Sequence, residues 1–465
     1  MRFNIRLRSN RGLLLFLALY AIVLVFFLEA KPLTLDEIID MIGVRNSSVR
    51  AVLDFAPRNA GGVPLGYLCD LAMIRLFGYS VFAVRLPSAV FSLIACVGVY
   101  ALARGGGLRR PLWAVICYAA FPLQVRYAML ARPYAQAACW SVLATIVFLK
   151  LVNSRPGIGL AVLYSILVAG GLYAQPYSIF APVAHLVWLA STRSPRQGDR
   201  PLVLAGGAVA AASIAFLPWF FRAHAVWREA IGSGMFFAMT YKSLLLIAHE
   251  LPGAGYLGFG LTLIGALLGL RLSPLLSAGQ KLFWGLYIVV PLSCVLAADA
   301  YFGYFLAIRQ FIFILVPLAV LIAMAAETLM NAGRLRWGLL APGCLLAAML
   351  YQNVHSMARP GEGWQAAASA LSRQASAPGA CNLFIPPDSL VLYAFFQSQL
   401  PQTVCDSYRL SASDTIAVAI RSNGMEASYS EAKQRLNRAG FSKAANLSVG
   451  EPRIELYRRV SGPPN

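Results

Sequence analysis

Long apolar runs separated by short polar segments dominate the first three quarters of the chain. A run of about 17 to 25 apolar residues can cross a bilayer as a helix. Eleven such spans are predicted between Gly12 and Gln352, beginning with Gly12–Leu28 and Ala83–Ala103. Two longer polar intervals, 31–86 after the first span and 220–252 after the seventh, are predicted to be the main outer loops.

The distribution of Lys and Arg predicts the orientation of these spans in the membrane. Four arginines precede the first span, and later clusters recur at every second boundary, as at Arg109, Arg196 and Arg334. Because Lys and Arg are concentrated in cytoplasmic loops, the N-terminus is predicted to lie in the cytoplasm and the 31–86 segment outside. An odd number of spans then places the segment after residue 352 outside as well.

Composition supports a multi-pass membrane protein. The 465 residues are 59% hydrophobic and only 12% charged, with a mean hydropathy of +0.65, whereas soluble domains are about 45 to 50% apolar. The formal charge of +20 could suggest nucleic acid. That interpretation requires basic residues gathered on one face, and here they lie between apolar runs, so no nucleic-acid partner is predicted.

The division predicted from this pattern is a transmembrane domain, 1–352, and an extracytoplasmic α/β domain, 353–465. In the second domain, helix-like stretches (363–374, 389–399 and 430–439) alternate with strand-like ones (381–385, 415–420 and 453–460). Cys381 and Cys405 are its only cysteines and are predicted to form a disulfide in an oxidising compartment. The alternative is two unpaired buried thiols, because spacing alone does not fix connectivity.

An adjacent acidic pair, Asp36 and Glu37, follows the first span directly. A carboxylate pair held at a membrane surface usually has a function. The alternative is a helix N-cap, in which Thr34 and the two acids stabilise a helix that starts near Leu35. The two roles do not exclude each other.

Four features in order resemble the GT-C membrane glycosyltransferases. They are the acidic pair, Gly61–Tyr67 (GGVPLGY), Leu76–Ser88 (LFGYSVFAVRLPS) and Arg126–Ala135 (RYAMLARPYA). The likeness is strongest to the branch that contains protein O-mannosyltransferases and bacterial aminoarabinose and mannosyl transferases. It covers about the first 190 residues, and it predicts a mainly α membrane protein of GT-C type.

The resemblance implies a polyprenyl-phosphate sugar donor and an acceptor on the outer face, with Asp36 in the position of the catalytic carboxylate. Three positions depart from the family. Leu130 stands where a Glu is common, Gly62-Val63 stands where the aminoarabinose branch has a Lys, and Arg309-Gln310 replaces an Arg-Tyr. The first two departures affect a metal ligand and a phosphate contact, and they argue against aminoarabinose transfer to lipid A.

The chemistry also follows from the donor. A leaving polyprenyl phosphate is a stable anion that needs no general acid, so one base suffices and a single displacement inverts the anomeric carbon. Asp36 is predicted to be that base. Glu37 either orients the acceptor or helps Asp36 to hold a divalent metal such as Mg²⁺ or Mn²⁺.

Cations are needed to stabilise the charge on the phosphate, and the predicted ones are Arg58, Arg132 and Arg309. The alternative for each arginine is contact with lipid headgroups or a snorkelling side chain. The side chains predicted to line the sugar or acceptor site are Tyr67, Tyr134, His249 and Glu250. The two tyrosines fit an aromatic belt equally well, and the polar pair could be merely solvated.

Other functions remain as alternatives. A secondary transporter would carry ionisable groups near the midplane and a repeat between its halves, and neither is evident. A glycan polymerase or ligase is a nearer alternative. An oligosaccharyltransferase would carry a Trp-Trp-Asp signature in its outer domain, but Trp364 stands alone. The sugar and the class of acceptor, whether protein, lipid or glycan, are left open by the sequence.

Overall fold

The computed structural model describes residues 11–45, 48–59, 62–153, 157–192, 199–232, 241–274, 276–302, 307–333, 335–358, 363–375, 380–385, 395–396, 413–420, 426–447 and 452–460. The chain forms two compact units. The first comprises Met1–Leu28 and Gly43–Ser356, and the second comprises Glu29–Ile42 and Met357–Asn465. The segment that carries Asp36 and Glu37 therefore belongs to the unit that contains the C-terminal α/β domain.

Helices make up nearly all of the first unit. In chain order they are α1 (Arg11–Phe27), α2 (Leu35–Val44, which starts in the second unit), α3 (Val49–Phe55), α4 (Pro64–Phe77), α5 (Val81–Gly105), α6 (Leu112–Ala120), α7 (Pro122–Ala128), α8 (Tyr134–Asn153), α9 (Ile158–Ala174), α10 (Phe180–Ser191), α11 (Arg200–Gly232), α12 (Tyr241–Glu250), α13 (Gly255–Leu272), α14 (Ala278–Phe302), α15 (Leu315–Asn331) and α16 (Leu335–Ala358). Short 3₁₀ turns lie at Ala56–Arg58, Pro176–Ile179 and Ile308–Ile314.

The helical segments are apolar enough to span a membrane. Among the described residues, six helical stretches meet both the length and the hydropathy that a span requires, including Val81–Gly105, Tyr134–Asn153 and Ile308–Asn331. Large side chains of α1 such as Ile22 and Phe26 are exposed, as expected of a surface that faces lipid tails. A mainly α membrane protein is therefore confirmed, while the number of eleven spans stays a prediction.

Two predicted segments differ from the structure. The third apolar run, predicted as 112–123, breaks at Phe121 because Pro122 has no N–H to continue the helix, and a new helix, α7, begins there. The predicted second outer loop, 220–252, is largely helical. Residues 220–232 continue α11 and residues 241–250 form α12, because this interval is rich in Ala, Leu and other helix-forming residues.

The second unit contains a four-stranded sheet in the described residues, with β1 (Ala380–Ile385), β2 (Thr415–Ile420), β3 (Phe441–Asn446) and β4 (Arg453–Arg459) in the order β1-β2-β4-β3. β1 and β2 are parallel, and the other pairs are antiparallel. Helix α17 (Trp364–Ala375) packs on one face, and α18 (Glu426–Arg438) packs on the other. The predicted α/β domain is thus present, with β3 as a strand that the pattern did not reveal.

Cys381 lies at the start of β1 and is disulfide-bonded. Its sulfur also accepts a hydrogen bond from Ser413 Oγ at 3.1 Å. The predicted partner, Cys405, and the predicted helix 389–399, apart from residues 395–396, lie outside the described residues. The pairing of Cys381 with Cys405 therefore stays a prediction.

Candidate active site

Three of the sequence motifs meet where α8 begins. Ser88 Oγ on α5 donates a hydrogen bond to the backbone carbonyl of Arg132 at 3.1 Å. On α4, a Cβ placed on Gly66 would lie 3.2 Å from Cβ of Pro133. The absence of a side chain at Gly66 therefore lets α4 approach the Arg-Pro-Tyr segment closely. Motifs that are distant in sequence converge on one segment, Arg132–Tyr134.

A cation and two tyrosines form a cluster beside this segment. The Arg309 guanidinium lies over the ring of Tyr134, 5.6 Å from its centroid. The rings of Tyr127 and Tyr134 meet edge to face at 4.7 Å. Arg309 also hydrogen-bonds to Tyr127. The structure thus joins two predicted residues, Arg309 and Tyr134, through a third that the sequence did not single out.

Tyr127 and its neighbour Arg126 extend this cluster. The Arg126 guanidinium lies 5.7 Å from the centre of the Tyr127 ring. Burial raises the pKa of the Tyr127 phenol, and the charges of Arg126 and Arg309 act against that rise. The phenol is therefore neutral near pH 7. Because its oxygen accepts from Arg309, its own O–H is available to donate to a phosphate oxygen.

The break between α6 and α7 is held from two sides, which fixes the helix that carries Tyr127. Asn353 on α16 donates a hydrogen bond at 2.9 Å to the carbonyl of Ala120, at the end of α6. Gly253 has φ +82°, and a Cβ there would lie 2.6 Å from Cβ of Pro122. Glycine is therefore required at 253 both for its backbone conformation and for close packing.

His249 and Glu250 lie at the end of α12, just before this glycine. His249 is exposed and its ring lies 5.1 Å from that of Tyr256. Glu250 is half-buried. Helix α12 also packs against the 3₁₀ turn that carries Arg309. The predicted polar pair is therefore on an element that borders the cluster.

Arg58 lies on the 3₁₀ turn before α4, and Tyr67 lies on α4 itself, next to Gly66. Arg58 is exposed on the turn Ala56–Arg58, which packs against α3, α4 and α11. Tyr67 is buried on α4, where its hydroxyl accepts a hydrogen bond from Asn59 Nδ2 at 2.8 Å and its ring meets Phe55 edge to face. The structure gives Tyr67 a packing role and leaves Arg58 accessible to solvent or lipid.

The acidic pair lies in the first turn of α2 and its two members differ. Glu37 is fully buried, and its Oε2 accepts from the N–H and the O–H of Thr34 at 2.9 and 3.1 Å. The Glu37 N–H points back to Thr34 Oγ1 at 3.4 Å. This reciprocal pattern is a capping box. Asp36 is half-exposed, whereas the Glu37 carboxylate forms the capping box.

The residues around Asp36 and Glu37 do not favour binding of the divalent metal that the sequence analysis offered as a possibility. Glu37 Oε2, a predicted ligand atom, already accepts two hydrogen bonds. Leu130, where the resembled family often has a Glu, cannot ligate a metal. Within the described ranges, no three His, Cys, Asp or Glu side chains form a group that could hold one. No reaction step is therefore assigned to a metal.

Residues 64–220 match the family model described as dolichyl-phosphate-mannose-protein mannosyltransferase. This segment contains α4, α5, α7 and α8, which build the site described above. The structure of ArnT from Cupriavidus metallidurans in the apo state superposes with a TM-score of 0.60 at 12% identity, over 97% of this chain and 99% of that one. The chain has the GT-C fold. The resemblance that the motifs predicted is confirmed.

Other GT-C structures superpose over nearly the whole chain. ArnT from the same organism bound to undecaprenyl phosphate gives a TM-score of 0.56 at 13% identity, over 98% of this chain and 100% of that one. Archaeoglobus fulgidus oligosaccharyltransferase AglB, in complex with an inhibitory peptide and a dolichol-phosphate, gives 0.54 at 12% identity, over 97% and 74%. No significant match to the sequence is found among curated proteins.

Proposed function

We propose that this GT-C protein transfers a sugar from a polyprenyl-phosphate donor to an acceptor on the extracytoplasmic face of the inner membrane. The observation that carries the proposal is the cluster of Arg309, Tyr134 and Tyr127 beside Arg132. It combines fixed positive charge with phenol groups at the start of a helix, which suits a phosphate that must leave as an anion. Structural neighbours hold undecaprenyl phosphate and dolichol-phosphate.

Each residue in the proposal has a stated role. Asp36 accepts the proton of the acceptor nucleophile as it attacks the anomeric carbon, and the C–O bond to the phosphate breaks in the same displacement. The anomeric configuration is inverted, and the electron pair leaves with the phosphate. Arg132 and Arg309 bind that phosphate, and Arg58 is a further candidate for the same role because it is exposed. The half-exposed position of Asp36 leaves its carboxylate partly accessible to an acceptor.

The proposal includes a topology. With the N-terminus in the cytoplasm, Asp36, Lys242 and the segment after residue 353 lie outside. Cysteine labelling from either side, in a variant that lacks the native cysteines, tests this arrangement. A cytoplasmic C-terminal domain would contradict it, because both the donor and the acceptor would then be on the wrong side.

The function is tested first in cells and then with purified protein. Mass spectrometry of envelope glycans with and without the protein should show one sugar missing from one acceptor class when the protein is absent. Protein in nanodiscs should then move that sugar from a polyprenyl-phosphate donor to the acceptor. Identical glycans in the two strains, together with no binding of polyprenyl phosphates, would refute the proposal.

A further inference from the structure

Three polar side chains near the start of α8 and the end of α9 each have a buried atom that finds no hydrogen-bond partner among the described residues. These atoms are the Gln136 amide oxygen Oε1, the Trp140 indole Nε1 and the Ser178 hydroxyl Oγ. The Gln136 and Ser178 side chains are 1% and 3% exposed. A buried polar group without a partner destabilises the fold, so such groups are rare in native proteins and call for an explanation.

The three side chains face the same place. Gln136 and Trp140 are one helical turn apart on α8 and therefore share a face. The six-membered ring of Trp140 lies against Gly170, 2.9 Å from where a Cβ would be. The corresponding point on Gly171 is 2.8 Å from Ser178 Oγ and 3.6 Å from Cβ of Trp140. Two successive glycines thus make room for the indole and the hydroxyl at the end of α9.

The chemistry of the three atoms defines what could satisfy them. Gln136 Oε1 accepts, Trp140 Nε1–H donates, and Ser178 Oγ can do both. A phosphate offers only acceptors and leaves the Gln136 oxygen unpaired, whereas a polyprenyl chain offers neither donors nor acceptors. Neutral hydroxyl groups offer both at once. A ligand with neighbouring hydroxyls, such as a sugar ring, therefore matches the set.

The position also fits a sugar. Trp140 lies six residues after Tyr134 on the same helix, a rise of about 9 Å, and the Tyr134 ring is in contact with Arg309. Gln136 is closer still. The side of α8 that carries Gln136 and Trp140 faces α9, against which α4, the helix of Tyr67, also packs. Gln136 and Trp140 therefore lie near the end of α8 that follows Arg132, and the helical spacing turns them to the side of α8 away from the Tyr134 ring.

We propose that Gln136, Trp140 and Ser178 form a subsite that binds hydroxyl groups of the donor sugar. The subsite rests on the proposed function, because it needs a lipid-phosphate sugar held at the start of α8, where Arg132 is proposed to bind the phosphate. In this proposal the three residues determine binding of the sugar, whereas the arginines bind the lipid phosphate. Without the sugar, the three polar atoms have no hydrogen-bond partner among the described residues, which lowers the stability of the fold. The site is complete only when the sugar is bound, and this is a trade-off between stability and function.

The test compares two ligands on the same protein in nanodiscs. One is polyprenyl phosphate without a sugar, and the other is the same lipid phosphate carrying mannose, glucose, arabinose or aminoarabinose. The variant Ser178→Ala removes one hydroxyl, Gln136→Met replaces both amide atoms at nearly constant volume, and Trp140→Phe removes the indole N–H together with part of the ring. For the sugar that the wild type prefers, each should weaken binding about three- to tenfold, the value of one hydrogen bond. Binding of the bare lipid phosphate should not change.

Trp284→Phe is the matched control. Trp284 on α14 is fully buried, and its indole Nε1 likewise has no partner among the described residues, so the same atom is removed elsewhere. Its preference for the sugar-bearing lipid should equal that of the wild type. The melting temperature of Ser178→Ala without lipid should stay equal or rise, because this variant loses only an unsatisfied buried hydroxyl.

The possible results distinguish failure of the proposed subsite from failure of the proposed function. If the three variants keep the sugar preference, or lose affinity for both lipids equally, the subsite is refuted and the three atoms bind water or serve packing. A wild type that binds bare and glycosylated lipids equally would also refute it. A wild type that binds neither lipid would refute the proposed function itself.

Discussion

Replacing Asp36 and Glu37 separately tests which carboxylate does chemistry. Asp36→Asn keeps the size and capping ability of the residue but cannot take a proton. General-base catalysis contributes about 10²- to 10⁴-fold, so transfer should fall by at least about 10²-fold. Binding of polyprenyl phosphate should be unchanged, because the proposed phosphate contacts are arginines.

Glu37 should behave differently because the structure shows what it does. Its Oε2 accepts both hydrogen bonds from Thr34, and a glutamine oxygen can accept the same two bonds. Glu37→Gln should therefore keep most of the activity and the melting temperature. Glu37→Ala removes the capping box, which should destabilise the protein by about 0.5 to 2 kcal/mol. Loss of activity should then follow loss of the fold rather than of a ligand.

The assay is transfer by purified protein in nanodiscs, with donor binding and thermal unfolding measured on the same samples. Turnover of Asp36→Asn at the wild-type rate would remove the proposed base and leave α2 as an ordinary capped helix. A loss in Glu37→Gln as large as that in Asp36→Asn, with an unchanged melting temperature, would instead indicate that Glu37 holds a metal or the acceptor. The two substitutions therefore separate three roles.

The remaining predictions concern other parts of the chain. Arg309→Ala should weaken donor binding about 10- to 100-fold through the loss of a charge-assisted hydrogen bond, and Arg309→Lys should recover part of it; unchanged binding would exclude the phosphate role. Asn353→Leu should lower transfer without changing membrane insertion, because the end of α6, which leads directly into α7, loses its bond to α16, and a fully active variant would contradict this positioning role. Non-reducing mass mapping should find Cys381 linked to Cys405, and two free thiols would show the pairing to be wrong. Burial raises the pKa of the Glu455 carboxyl, but three hydrogen-bond donors outweigh it and lower the pKa overall. The contribution of Glu455 to the free energy of unfolding should therefore be present above its ordinary pKa and lost as the pH falls through the lowered value. In the full chain, Glu455→Gln should make the free energy of unfolding less dependent on pH in that range.

Much of the helical unit could be predicted because a bilayer leaves little choice. Backbone groups in lipid must be satisfied within helices, so apolar length alone locates segments such as α5, α8 and α15. Breaks within a helix are harder to predict from hydropathy. Pro122 sits inside an apolar run, and hydropathy does not show that Asn353 and Gly253 stabilise a helix end there.

The α/β domain illustrates a limit of periodicity. β1 and β2 are buried along nearly their whole length and read as short apolar runs. In β3, all residues after Phe441 are exposed, and Ser442–Asn446 are polar or small. Such an edge strand shows neither alternation nor a hydrophobic run. Only its pairing with β4 identifies it.

The candidate site was predictable in its chemistry and less so in its contacts. The motif Arg132–Tyr134 and the acidic pair were found because residue types at fixed spacing carry a resemblance. Tyr127 was missed because its partner, Arg309, is far away in sequence and belongs to the 3₁₀ turn before α15. The capping box did have a sequence signal, Thr-x-x-Glu at 34–37, but this signal cannot say which acid is left for catalysis.

The absence of a lysine before the Pro64-Leu65-Gly66 segment has a structural cause. A Cβ on Gly62 would lie 1.9 Å from the carbonyl oxygen of Ala56, so no residue with a side chain fits there without moving the backbone. The next position, Val63, is 3% exposed, and a charged group there would have to be desolvated. A phosphate-binding lysine is thus incompatible with this turn. The positive charge that a leaving phosphate needs has to come from other elements, which is consistent with the role proposed for Arg309, beside Tyr127 and Tyr134.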